Sequence, residues 1–375
     1  MILAVRNKER NEGQVKITRR RFIKTAIVTS TAIAALPTIW VQKSPAAWAR
    51  KTTVHPHVKN LRVVGITDAR MTKAREVVTS WSRQEQLVVS EAVGENIDKL
   101  ACALAETREA KDAWKAIFIK PPGKSWTDTV VAIKTNHISR QHTRSAVMAR
   151  VCHVLTDVIG IKPSHIYIYD GIHGGEMGRE TPFAGLPQGC RIVDRWGGPS
   201  APAAVPPPWP HGRSTCMKSL VDGSVDILVN IALCKGHSWG YGGFTMTMKN
   251  HMGTFSPDPI HREGALDYLL AINQTPEIMG PMDKKTGRIL FPRQQLCLVD
   301  ALWASKGGPD GLPSHQPNFL AMGAFSPVVD YVLATRFRGE KMGWAPNKQV
   351  TRRFLEEFGY KESDLPAEGK IVEIG

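Results

Sequence analysis

The chain has 375 residues, 49 Lys+Arg against 34 Asp+Glu, a formal net charge of +15 and 42% hydrophobic side chains. That length and apolar fraction exclude a disordered chain and support a globular protein with a substantial core. Six cysteines stand singly, with no C-x-x-C, which excludes a zinc knuckle and a ferredoxin-type cluster motif.

The first 49 residues read as an export leader. Thr18, Arg19, Arg20, Phe22 and Lys24 form a basic opening, residues 25–41 are moderately apolar, and Ala47-Trp48-Ala49 is a small-x-small exit. This resembles a twin-arginine signal, implying passage through the Tat translocation machinery to a periplasmic location, with cleavage after Ala49. A retained leader would be the only contact with a membrane, since residues 25–41 sit at the lower edge of a spanning length. Without the nine basic and two acidic residues of 1–49 the net charge falls from +15 to +8. No block of five or six like charges remains, so the excess reads as solvated surface and a small anionic ligand, with no nucleic acid expected.

After a linker at 50–60, residues 61–375 read as one α/β domain. The pattern predicts a strand at 61–67 and a long helix at about 83–114, where Val93, Ile97, Leu100 and Leu104 recur at helical spacing. A strand at 129–136, a helix at 145–159 and a strand at 165–170 follow. Residues 197–212, "GGPSAPAAVPPPWPHG", are too proline-rich for either element and read as a surface excursion. Strand 225–234, a helix around 263–273 and strands 295–300 and 318–325 come next. Ser326-Pro327 then caps a helix through "VVDYVLATRF". Strands separated by helices imply a mainly parallel sheet with flanking helices, of the doubly wound type.

Ligands of such sheets bind outside the strand carboxyl ends. Those ends deliver Lys134 and Asn136, Asp170, Lys235 and His237, and Asp300. The stretch "CKGHSWGYGGFTMTMKNHMGTF" adds Lys249, Asn250 and His251, with Gly242 and Gly243 allowing close backbone approach. A helix starting in "TMTMKNHMG" would offer free N–H groups to an anion. Lys235 and Lys249 are expected to hold that anion, His237 to act as acid/base or metal ligand, and Asp170 and Asp300 to orient partners. His173 and Glu176 in "GIHGGE" are, with His237, the metal candidates, two ligands being fewer than a catalytic zinc takes. The cofactor stays open between a metal and a small anionic molecule. "PPGKSW" is not a phosphate loop and "GYGGF" is not a dinucleotide fingerprint, because the required glycine spacing is missing. Two readings stand: an enzyme using acid/base or metal-assisted chemistry, and a non-catalytic binding or assembly factor for an exported redox partner.

"VAIKTN", "IYIYDG", "VDILVNIALCKGH", "TMTMKNHMGTF", "LCLVDALWASKGGPDG" and "SPVVDYVLATRFRG" together resemble the family called domain of unknown function 362, over roughly residues 128–340. The resemblance implies a shared set at Lys134, Asn136, Asp170, Lys235, His237, Lys249, Asn250, Gly253, Asp300 and Asp330. Some relatives carry a ferredoxin-like module with cysteine clusters; this chain has no such motif.

Overall fold

Eight strands form one sheet: β1 (Val63–Thr67), β2 (Val131–Lys134), β3 (Ile166–Tyr169), β4 (Arg191–Ile192), β5 (Ile227–Leu233), β6 (Gln294–Ala301), β7 (Phe319–Gly323) and β8 (Val372–Glu373). The computed structural model describes residues 54–138, 141–171, 183–193, 200–283, 285–286, 288–366 and 372–373. Residues 1–49, expected to form a leader, and the metal candidates His173 and Glu176 lie outside the described residues.

The sheet order is β8-β1-β7-β6-β5-β2-β3-β4. From β6 to β4 all neighbours are parallel, and β8 is parallel to β1. Only β7 runs antiparallel to both its neighbours. The sheet is mainly parallel, as expected, and β7 is the exception because no helix separates β6 from β7. The chain turns back through the loop 302–318 and enters β7 from the end where β6 left. That loop therefore lies at the carboxyl edge.

Alternation along each strand feeds two cores. In β2, Val131 and Ile133 join a core with Val93, Ile97 and Trp114, whereas Ala132 joins the opposite core with Leu269, Val328 and Phe354. β5 and β6 are buried at every position, as near-continuous apolar runs require when helices cover both faces. Helices α1 (Trp81–Leu87), α2 (Ser90–Ala105), α3 (Ala110–Ile117) and α4 (Ser145–His153) precede β3 in the chain. The short α5 (Thr247–Asn250), α6 (Ala265–Ile272), α7 (Ser326–Val332) and α8 (Lys348–Glu356) follow β5.

Three expectations are corrected. The helix expected at 83–114 is three helices. Val88 and Val89 are extended between α1 and α2, and Glu106 leaves α2 in the left-handed region at φ 57°. The helix expected at 145–159 changes after His153 to a π-helical turn, Val154–Ile159. The proline-rich excursion contains an antiparallel ribbon, Ser200–Ala204 against Arg213–Met217, which tolerates Pro202 because a two-stranded ribbon consists of edges. Residues 54–60 pack on the core through Val54 and Val58, and buried His55 bonds the Ile117 carbonyl through Nε2 at 2.8 Å.

Candidate functional site

Lys134 is the last residue of β2 and Asp170 directly follows β3. The strands are neighbours in register, with Lys134 opposite Tyr169, so the two side chains meet. Lys134 Nζ donates to Asp170 Oδ1 at 2.6 Å and to the Thr135 carbonyl at 2.5 Å, and neither residue of the pair is reached by solvent. Burial pushes the Lys134 amine below its ordinary value, and the Asp170 charge opposes that shift.

Beyond β5 the chain makes a ribbon, Lys235–Gly236 against Phe244–Thr245, closed by a turn through Gly242 at φ 93° and Gly243 at φ 84°. Gly236 is required by its neighbours: a Cβ there would come within 1.8 Å of the Lys306 carbonyl oxygen in the β6–β7 loop. This close approach sets Lys235 against the carboxyl edge. Its Nζ donates to the Ile138 and Gln141 carbonyls at 3.3 and 3.4 Å. Desolvation lowers its pKa to about 7, with Asp170 raising it and Arg144 lowering it further. Lys249, on α5, is lowered to about 8 by burial, and its amine lies 4.9 Å from the Tyr241 ring centroid.

The first two N–H groups of α5 are not free. The Asp330 carboxylate, from α7, accepts from Thr247 N at 2.7 Å, Met248 N at 2.9 Å and Thr247 Oγ1 at 2.5 Å. The anion expected there is thus an internal one. Burial raises Asp330 to about 7 against the pull of these donors.

Asn250 is fixed by a network that begins inside β5. Its Nδ2 donates to the Lys134 carbonyl at 3.3 Å, Asn230 Oδ1 at 2.9 Å and the Ile231 carbonyl at 3.2 Å, and its Oδ1 accepts from Asn136 Nδ2 at 3.1 Å. Asn230 Nδ2 in turn donates to the Thr247 carbonyl at 2.8 Å. Fully buried His251 belongs to the same network, with Nε2 2.7 Å from Gln294 Oε1, and desolvation lowers it to about 3, so the ring is neutral.

A cavity of about 30 Å³ opens among these groups, lined by Asn136, Asp170, Lys235, Thr245, Lys249 and Asn250 together with apolar Ile138, Met252, Ile260 and Pro309. A cavity of this size admits only a ligand of a few non-hydrogen atoms. Five of the residues singled out in the sequence therefore line one cavity, and Lys134 pairs with one of them, Asp170. Two ammonium groups face one carboxylate already matched by Lys134, so the cavity favours an anion when both lysines are protonated.

Other expected residues have different roles. Asp300 does not line the cavity; it is engaged by buried Arg144, which donates from Nε at 2.8 Å and from its backbone N at 2.9 Å. His237 is half-buried at the ribbon turn, with Nδ1 accepting from Ser238 N at 2.8 Å and its ring edge-on to Tyr241, and it is not among the lining residues. Gly242 and Gly243 shape that turn, and His251 anchors α5 from below. Among the described residues no three His, Cys, Asp or Glu side chains stand close enough to hold a metal ion. No described helix is long and apolar enough to cross a membrane. Sequence reasoning missed Asn230, Arg144 and Gln294. Only Asn230 carried a signal, as an amide in the middle of an otherwise apolar strand that burial obliges to find partners.

A family model described as Domain of unknown function (DUF362) matches residues 131–335, more than half of the chain and all the residues that line the cavity. Searches of the curated proteins and of the solved structures found no match.

Proposed function

The chain belongs to the domain of unknown function 362 family, and from this premise we propose that it binds a small anion at the carboxyl edge of its sheet, between Lys235 and Lys249. The observation that carries the reading is that two buried lysines, with pKa values lowered to about 7 and about 8, line one cavity beside the Lys134–Asp170 pair. Desolvation makes each ammonium costly until an anion neutralises it, so binding relieves a cost that the empty fold carries. At neutral pH Lys235 exists in both protonation states. It can hold the anion as an ammonium and take a proton from the ligand as an amine, which supports acid/base chemistry with Lys235 in the role first assigned to His237.

Titration calorimetry of acetate and sulfate into the wild type and into Lys235→Ala and Lys249→Ala tests the reading, with circular dichroism to verify folding. Heat of binding in the wild type, lost in both folded variants, is expected. Undiminished binding in the variants would remove the lysines from the site.

The Thr18–Lys24 pattern and the Ala47-Trp48-Ala49 exit support export through the twin-arginine route. N-terminal sequencing of the protein recovered from its host should begin at Arg50; an intact Met1 terminus in the exported fraction would contradict cleavage.

A further inference from the structure

Among the described residues, two acceptor atoms of the cavity lining have no hydrogen-bond partner. Asp170 Oδ2 and Asn136 Oδ1 are buried without a hydrogen bond, although both residues line the cavity. Asp170 is fully buried and Asn136 is 8% exposed, so bulk water does not satisfy them.

The identity of the orphaned Asn136 atom follows from the network. Asn250 Nδ2 is oriented by two backbone carbonyls, those of Lys134 and Ile231, which only accept. Asn250 must therefore present its oxygen to Asn136, and Asn136 must answer with its amide nitrogen. Its oxygen is left facing the cavity. For Asp170, the Lys134 amine occupies Oδ1 only.

The lining of one cavity thus includes two ammonium donors and two unmatched acceptors. A bare anion satisfies the first and leaves the second orphaned. A metal cation would satisfy the acceptors and face two ammonium groups. We infer that the ligand is a small carboxylate bearing an O–H or N–H donor on the neighbouring carbon, its carboxylate held by Lys235 and Lys249 and its donor by Asp170 Oδ2 and Asn136 Oδ1. The apolar lining residues, Ile138, Met252, Ile260 and Pro309, limit any further substituent to a small apolar group. This rests on the anion-site reading and adds the donor requirement to it.

The test compares four probes of similar size against the full-length protein by titration calorimetry: acetate and methoxyacetate, which carry no donor, and glycolate and glycine, which do. Glycolate or glycine should bind about tenfold more tightly than acetate and methoxyacetate, one well-made hydrogen bond being worth that ratio. Asn136→Ala, which spares the Lys134–Asp170 pair, should reduce the ratio of glycolate to acetate affinity severalfold. Equal affinity for all four probes in the wild type would overturn the donor requirement and leave the anion site intact. Absence of binding by all four, and by sulfate, would overturn both.

Discussion

Asp330 and Thr247 are 83 residues apart in sequence and joined twice, the carboxylate accepting from both the backbone N–H and the hydroxyl of Thr247. The pairing closes the first turn of α5 and so fixes the height at which Lys249 and Asn250 reach the cavity. Asp330→Ala leaves two buried N–H groups without acceptors. It should destabilise the fold by about 2–4 kcal/mol, each orphaned donor costing about 1–3 kcal/mol, as measured by urea denaturation. Asp330→Asn keeps one acceptor oxygen and should lose less.

Lys235 places a stability cost in a defined pH window. Its folded pKa is about 7 and its ordinary value 10.5, so between these the unfolded chain binds the extra proton. Stability must therefore rise with pH across the window, and Lys249, at about 8, acts with the same sign. Lys235→Met removes the buried charge and should stabilise the ligand-free protein at pH 6 by about 1–3 kcal/mol. The gain should shrink on approach to pH 10.5. Thermal midpoints of the two proteins from pH 6 to 10 check both the sign and the window.

On the acid side His251 lowers stability, and Asp330, with a folded pKa of about 7 above its ordinary 3.8, opposes it. The His251 folded pKa of about 3 lies below the ordinary 6.5, so as pH falls through this range the unfolded chain takes up a proton that the native ring refuses. That contribution to stability is lost on acidification, and buried His55, at about 4, adds to the loss. His251→Gln should be less stable at pH 7, because the contact with Gln294 changes, yet show a flatter decline between pH 6.5 and 4 in urea midpoints.

Gly171 and Gly160 separate steric from conformational cost. Both have positive φ, 82° and 90°, but a Cβ at Gly171 would lie 2.2 Å from the Gly253 carbonyl oxygen, whereas one at Gly160 meets nothing within 4 Å. Gly160→Ala should cost about 1 kcal/mol, and Gly171→Ala about 2–4 kcal/mol because backbone must move. The second substitution also shifts Asp170, so it should weaken anion binding where the first does not.

The sheet and the location of the site were legible because both follow from local pattern. Apolar runs ending in Lys134, Asp170 and Lys235 mark strands whose carboxyl ends converge, and parallel pairing then places these residues together. The antiparallel direction of β7 goes with the absence of a helix between the strands expected at 295–300 and 318–325, the one exception within a mainly parallel sheet. The roles of the individual groups were less visible. Periodicity cannot reveal that Arg144, 156 residues away, occupies Asp300, or that Asp330 takes the N–H groups of α5. Asn230 shows the boundary: its sequence marks a buried amide, but only the fold names Thr247, Asn250 and Gln294 as partners.

The central claim is that Lys235 is a desolvated amine awaiting an anion. Nitrogen-15 NMR of the lysine side chains, with Lys235→Met to assign the signal, measures this directly. The account predicts that Lys235 Nζ titrates near 7 in the free protein and that saturating glycolate raises its pKa by about one unit or more, as a bound opposite charge does. A Lys235 amine that titrates at its ordinary value and does not respond to glycolate would contradict it.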